Sequence, residues 1–146
     1  MISTTRLATE RTRRWPWLGA VCGGVSINAF GAAIGLASGA IDLSPDVQAR
    51  LPMSSTALAA LVLMLFVGIP MGLAAASAFA GGGRSGPMAH IAGVLLVAWI
   101  LVQPLVTGET SWLQGSFGVL GFVIAVRGWR MTVAAGRSAY LLSDET

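Results

Sequence analysis

The sequence LGAVCGGVSINAFGAAIGLASGAI, residues 18–41, contains no charged side chain. As a helix rising about 1.5 Å per residue, it is long enough to cross the roughly 30 Å hydrocarbon core of a bilayer. Gly31, Gly35 and Gly39 recur at every fourth position within it. This spacing places them on one helix face without side chains, where a second backbone can approach closely. The stretch therefore predicts a transmembrane helix that packs through its glycine face.

The composition of the whole chain indicates an integral membrane protein. Of its 146 residues, 55% are hydrophobic and 10% are charged, whereas soluble proteins average about 25% charged residues. The net charge of +3 comes from arginines that flank apolar runs and do not alternate with aromatic residues, so nucleic acid is not expected as a partner. The partners expected are membrane lipids and other copies of the chain or a larger membrane complex.

Four apolar segments predict four membrane spans in a single domain covering residues 1–146. The spans are expected at about 17–41, 56–80, 88–106 and 112–129, with a flexible tail at 1–14 and an interfacial tail at 131–146. Gly68 and Gly72 give the second span a small-residue face of its own, which makes the first two spans natural packing partners. Pro70 lies inside the second span and cannot donate a backbone hydrogen bond, so it leaves a carbonyl near Phe66 to be satisfied by a kink or a neighbour.

The arginines predict the orientation of the spans. Eight of the nine lie in the segments assigned to the cytoplasmic side, and Arg50 is the one in an outer loop. Because an excess of positive charge marks the cytoplasmic loops, both termini are expected inside the cell. The predicted fold is an all-α integral membrane protein in which four transmembrane helices form an antiparallel bundle, N-in and C-in.

The residues that could carry chemistry are few. His90 is the single histidine and Cys22 the single cysteine, so neither a metal cluster nor a disulfide within the chain is expected. No charged residue is expected near the middle of a span, which argues against a proton relay there. The sequence therefore predicts no catalytic residues, no metal and no cofactor, and the protein is not expected to be an enzyme.

Polar and aromatic residues define two candidate ligand-binding regions. Asn28 is expected near the membrane midplane, where its amide either contacts a ligand or forms an interhelical hydrogen bond, for instance to the carbonyl freed by Pro70. Trp99 is placed similarly in the third span, as a packing residue or a binding wall. The outer ends of the spans hold a polar cluster that forms either a shallow ligand pocket or an ordinary solvated rim: Asp42, Gln103, Glu109, Trp112 and Gln114. Ser111 and Gln114 also match a capping box that opens the fourth span.

The carboxy half resembles a known family. Trp99-x-x-x-Gln103, followed by Trp112-Leu113-Gln114 and a glycine-rich last span, is similar to small four-helix integral membrane proteins of actinobacteria whose function is uncharacterised. The resemblance covers roughly the second to fourth spans, although this chain has Gly115 where the family is expected to have proline. It implies four helices in a bacterial inner membrane and implies no activity.

Three functions are compatible with these features. The leading hypothesis is a non-catalytic membrane subunit that packs through glycine-rich helix faces against itself or a larger complex. The first alternative is a small-molecule or drug transporter that works as an oligomer, although Asn28 cannot titrate as the acidic residue of such transporters does. The second alternative is a lipid-binding protein or membrane enzyme that uses the outer polar cluster.

The arginine distribution gives a test of topology. In a Cys22→Ser background, Asp46→Cys should react with a membrane-impermeant maleimide added to intact cells, and Arg84→Cys should react only after the cells are opened. The opposite pattern, with position 46 protected and position 84 labelled, would invert the predicted orientation.

Overall fold

The structure is a computed structural model that describes residues 14–51, 55–108 and 111–143. Within these ranges all regular secondary structure is helical. The helices are α1 (Pro16–Ser38), α2 (Pro45–Arg50), α3 (Thr56–Leu63), α4 (Ile69–Ala80), α5 (Ser85–Thr107) and α6 (Trp112–Ser143). Four stretches are long and apolar enough to cross a membrane: Pro16–Ser38, Thr56–Ala80, Ser85–Leu105 and Trp112–Arg137. The prediction of an all-helical chain with four such helices is confirmed, and the predicted tail at 1–14 lies almost wholly outside the described residues.

The helix α1 begins with a proline and ends with a glycine, as their backbone preferences dictate. Pro16 occupies the first turn, where its missing N–H leaves no hydrogen bond unmade. Gly39 follows the last helical residue with φ of +73°, a left-handed conformation that glycine adopts without steric cost. The helix therefore ends at Ser38, three residues earlier than the uncharged run predicts, because Gly39 turns the chain.

The second span is a helix interrupted by one π-helical turn. Ser55 accepts a hydrogen bond from the Leu58 backbone N–H at 3.2 Å and so caps the N-terminus of α3. The π turn covers Met64–Gly68 and joins α3 to α4, with Pro70 in the first turn of α4. A π turn changes the hydrogen-bond register just before the residue that cannot donate, so the irregularity expected from Pro70 takes this form.

The first and second spans pack mainly against each other, and so do the third and fourth. Helix α1 lies against α3, the π turn and α4; α4 lies against α5; and α5 makes its most extensive contact with α6. The short helix α2 and Leu51, which is buried, lie at the end of the bundle where α5 terminates. The core contains residues of all four spans, among them Leu18, Met71, Leu96 and Ile124.

The closest helix contact joins α5 and α6 through glycines spaced seven residues apart. A β-carbon built on Gly93 would lie 2.6 Å from the Gly121 carbonyl oxygen, and one built on Gly128 would lie 2.7 Å from the Gly86 carbonyl oxygen. Both distances are too short for a real side chain, so the two backbones touch. Seven residues are close to two helical turns, which places Gly86 and Gly93 on one face of α5 and Gly121 and Gly128 on one face of α6.

The helix α6 is longer than the predicted fourth span. It continues without interruption from Trp112 to Ser143, so residues 131–143, for which the sequence predicts an interfacial tail, are helical and continuous with the fourth span. Helix α5 likewise begins at Ser85, three residues before the predicted start, and Ser85 donates its hydroxyl to the Ser77 carbonyl at 2.8 Å. That bond fixes the turn between α4 and α5 and explains the earlier start.

Adding a methyl group at the α5–α6 contact should destabilise the fold. Gly128→Ala is expected to lower the free energy of unfolding in detergent by about 1–3 kcal/mol, because the backbones must separate to admit the β-carbon. Gly136→Ala is the matched control on the same helix, since a β-carbon there meets no atom within 4 Å. Alanine is also the better helix former, so the control should leave stability unchanged or raise it by up to about 1 kcal/mol. Equal effects at the two positions would contradict close backbone contact.

Candidate functional site: the uncovered face of the first helix

Helix α1 has one face that is buried within the chain. Its buried residues are Leu18, Gly19, Cys22, Val25, Ser26, Ala29 and Ala33, which recur at intervals of three, four and seven residues as one face of a helix does. This face lies against the second span. Cys22 is fully buried on it, so the single thiol is a packing residue of the core.

A serine hydroxyl fixes this buried face to the second span. Ser26 is buried and donates its hydroxyl to the Gly68 carbonyl oxygen at 2.8 Å. Gly68 and Gly72 make room for this contact: a β-carbon on Gly68 would lie 3.3 Å from the Phe30 ring, and one on Gly72 would lie 3.1 Å from the Ser26 hydroxyl. The sequence offered a hydrogen bond to the second span as one of two alternatives for Asn28. Within the chain this bond is made by Ser26, because Ser26 and not Asn28 lies on the side of α1 that faces the second span.

The opposite face of α1 touches no other part of the described chain closely, and we call it the open face. Its exposed residues are Ala20, Gly24, Ile27, Asn28, Gly31 and Ile34. Ile27 is 75% exposed and Ile34 is 63% exposed, and a β-carbon built on Gly24 or Gly31 meets no atom within 4 Å. Small residues at 20, 24 and 31 leave a shallow groove along the helix, the shape that permits close approach of another helix.

Asn28 lies at the centre of the open face. It is twelve residues from the start of a 23-residue helix, so it is near the middle of the span, about 18 Å from the start of the helix. Other polar side chains of the spans donate to or pair with a backbone carbonyl: Ser26, Ser77, Ser85, His90, Ser116 and Thr132. Asn28 is exposed and has no such bond to any described residue. Because lipid tails offer no hydrogen bond, an amide in this position favours a protein or ligand partner.

The glycines predicted as a packing row have three different environments. Gly31 is uncovered on the open face, whereas Gly35 is covered by the side chain of Ile41, whose Cδ1 would lie 2.6 Å from a β-carbon on Gly35. Ile41 also donates its backbone N–H to the Gly35 carbonyl at 3.1 Å. Gly39 lies beyond the helix. The expected row of three is therefore not one helix-packing face, because the chain reverses over its last two members.

The outer polar residues that the structure describes have different environments. Gln114 and Ser111 form the predicted capping box: the Gln114 carbonyl oxygen Oε1 accepts from the Ser111 backbone N–H at 3.1 Å, and the Ser111 hydroxyl accepts from the Gln114 backbone N–H at 3.4 Å. Trp112 is 82% exposed and Asp42 is exposed. Gln103 and Trp99 are half-buried, and Trp99 packs against the core. Glu109 lies outside the described residues.

His90 joins α5 to α6. Its Nδ1 lies 3.0 Å from the Ala125 carbonyl oxygen, and a carbonyl can only accept, so Nδ1 carries the proton. The imidazole ring also lies 5.4 Å from the Trp129 ring. His90 therefore supports the same α5–α6 contact as the glycines. The described carboxylates Asp42 and Asp46 are far from it, because they lie at the other end of the bundle, beside the end of α5.

Sequence reasoning missed the residues that hold the fold together. Four glycines share a detectable pattern, a spacing of seven residues within each helix: Gly86 and Gly93 on α5, and Gly121 and Gly128 on α6. The more frequent spacing of four residues in α1 obscured this pattern. Ser26 carries no signal of its own, because its neighbour Asn28 is the more polar residue.

The two polar residues of α1 should differ in their effect on the monomer. Ser26→Ala is expected to lower the free energy of unfolding in mixed detergent micelles by about 0.6–1.7 kcal/mol, the range for interhelical hydrogen bonds in membranes. Ser116→Ala, the same substitution where the bond is to the Trp112 carbonyl of the same helix, should change it by less than about 0.5 kcal/mol. Asn28→Ala should also leave the monomer unchanged. A larger loss for Asn28→Ala than for Ser26→Ala would reverse the assignment of the two faces.

Comparison with known protein families, with curated proteins and with solved structures finds no match to this chain. The resemblance to actinobacterial four-helix proteins therefore stays a prediction. Function is inferred below from the helices and their contacts.

Proposed function

We propose that the protein is a non-catalytic subunit of a bacterial inner membrane that associates with a second copy of itself through the open face of α1. The observation that carries the proposal is the uncovered Asn28 amide, flanked by Gly24 and Gly31, at the middle of a helix that crosses the membrane. A helix that faced only lipid would be expected to present apolar side chains there.

The bundle we propose is antiparallel, with both termini inside the cell. Three pairs of neighbours support this arrangement for the last two spans: Gly86 with Thr132, Gly93 with Ala125, and Gly118 with Ile100. In all three pairs the residue number on α6 decreases as the residue number on α5 increases, as it does in antiparallel helices. The described arginines Arg14, Arg84, Arg127, Arg130 and Arg137 fall in segments that this topology places inside, which accords with the charge rule for cytoplasmic loops.

A second copy is the partner that the chemistry of the open face fits best. The asparagine amide holds both a donor and an acceptor, so two Asn28 side chains related by a two-fold axis can bond to each other. The two-fold interface is the commonest in homo-oligomers. Copies inserted in the same orientation also place Gly24 opposite Gly24 and Gly31 opposite Gly31, so the grooves of the two helices coincide.

The other functions considered gain no comparable support. For the outer polar cluster, Gln114 is engaged in the capping box and Trp112 faces outward. For a transporter, the polar groups within the spans that could line a path, such as Ser26 and His90, bond to backbone carbonyls inside the fold.

Disulfide trapping in lipid tests the proposed interface without altering Asn28. In a Cys22→Ser background, Ala20→Cys lies on the open face and should form a homodimer on oxidation at low protein-to-lipid ratio. Ala76→Cys is the matched control, an exposed alanine near the end of α4, and should remain monomeric. Adding Asn28→Leu to Ala20→Cys should reduce trapping several-fold, because the amide pair contributes about 0.6–1.7 kcal/mol.

Two outcomes would count against the proposal. Equal trapping at positions 20 and 76 would show random collision in the membrane. In native membranes, Ala20→Cys could instead form a disulfide with a different protein and none with a second copy. That outcome would support the subunit function but would show that the partner is another protein.

A further inference from the structure

A pair of tryptophans and an arginine meet at the end of the bundle where α1 begins. The Arg127 guanidinium carbon Cζ lies 5.2 Å from the centre of the Trp17 ring and 6.0 Å from the centre of the Trp15 ring. Both distances are within the range of cation–π attraction. This contact connects α1 to α6, which are the first and last spans of the chain.

The tryptophans are held firmly in this position. The Trp15 backbone N–H donates to the Ala78 carbonyl of α4 at 3.1 Å, and the Trp15 ring packs against the core. Trp17 is two residues further on, in the first turn of α1, and is 43% exposed. Arg127 therefore lies against two tryptophans at the start of α1, of which Trp15 is anchored to α4, although its own side chain reaches the surface.

Further positive charge surrounds this arginine. Arg130 is three residues along α6, so it lies on the same helix face as Arg127. Arg14 immediately precedes Trp15, and both Arg14 and Arg130 are exposed. The described carboxylates, Asp42 and Asp46, follow the far end of α1, so none of them neutralises these three charges.

We propose that Arg127, with Arg130 and Arg14, binds the phosphate of an anionic phospholipid in the leaflet at this end of the bundle. Cation–π attraction leaves the N–H groups of a guanidinium able to donate hydrogen bonds, and their planar fork matches the oxygens of a phosphate. Tryptophan rings prefer the headgroup level of a membrane, which places the arginine at the depth of lipid phosphates. This site is independent of the open face of α1 and of the proposed dimer.

The choice of lipid follows from charge. Phosphatidylglycerol carries a net negative charge, whereas the choline of phosphatidylcholine neutralises its own phosphate. Three arginines that no described carboxylate neutralises therefore favour the anionic lipid. Free inorganic phosphate shares the same chemistry, but it lacks acyl chains to lie along the apolar surface below Trp17.

Native mass spectrometry of the purified protein in mild detergent tests the site, with phosphatidylglycerol, phosphatidylcholine and inorganic phosphate added separately. The wild type should retain phosphatidylglycerol at least several-fold better than phosphatidylcholine. Arg127→Gln should weaken binding of phosphatidylglycerol about tenfold, since it removes charge-assisted hydrogen bonds. Arg84→Gln removes the same charge from the loop between α4 and α5 and is the matched control, with a loss of less than about threefold from general attraction.

Two further variants separate a built site from general charge. Arg127→Lys keeps the charge without the planar fork, and Trp17→Leu keeps the arginine without one of its supporting rings, so both should lose part of the preference for phosphatidylglycerol. A thermal unfolding transition within a few degrees of the wild type confirms that each variant is folded.

Equal losses for Arg127→Gln and Arg84→Gln would overturn the site, because they would show only diffuse attraction. Displacement of phosphatidylglycerol by millimolar inorganic phosphate would overturn the lipid as ligand. Retention of phosphatidylglycerol in Trp17→Leu and Arg127→Lys at the wild-type level would also contradict the proposed geometry.

Discussion

The contact of the α5 and α6 backbones is the interaction on which the rest of the structure depends. A bilayer provides no hydrophobic force between helices, so their association rests on close van der Waals packing and on polar contacts. Gly93 and Gly128 allow the two backbones to touch, and His90 adds a hydrogen bond to the Ala125 carbonyl between them. The position of α6 that results brings Arg127 next to Trp15 and Trp17 at the start of α1.

The contact between α1 and the second span follows the same principle with different residues. The buried face of α1 uses alanine, serine and a fully buried cysteine, and it meets Gly68 and Gly72 across the interface. The opposite face has equally small residues at Gly24 and Gly31, but they meet no neighbour in the described part of the chain. Helix α1 thus has small residues on two faces, and only one of them is covered within the described chain. Such a surface is expected of a subunit that binds another protein chain.

The sequence predicted the helices better than it predicted their contacts. Length and hydropathy located the four helices that are long and apolar enough to cross a membrane, and local backbone chemistry located the capping box of Ser111 and Gln114. These features depend on residues near one another in the chain. Which face of a helix meets a neighbour depends on distant residues: Ser26, and not Asn28, bonds to the second span, and Gly35 and Gly39 do not share the open face with Gly31. Periodicity shows which residues share a face without showing what lies opposite it.

The state of the protein in a dilute bilayer tests most directly whether the open face of α1 is an interface between copies. Fluorescently labelled protein can be reconstituted over a range of protein-to-lipid ratios, and the copies in each particle counted by photobleaching steps. The wild type is expected to show a dimer fraction that falls as lipid is added, and Asn28→Leu should shift that curve to higher protein density by about threefold to twentyfold, the equivalent of about 0.6–1.7 kcal/mol. A wild type that is monomeric at every ratio, or a curve that Asn28→Leu leaves in place, would contradict the account.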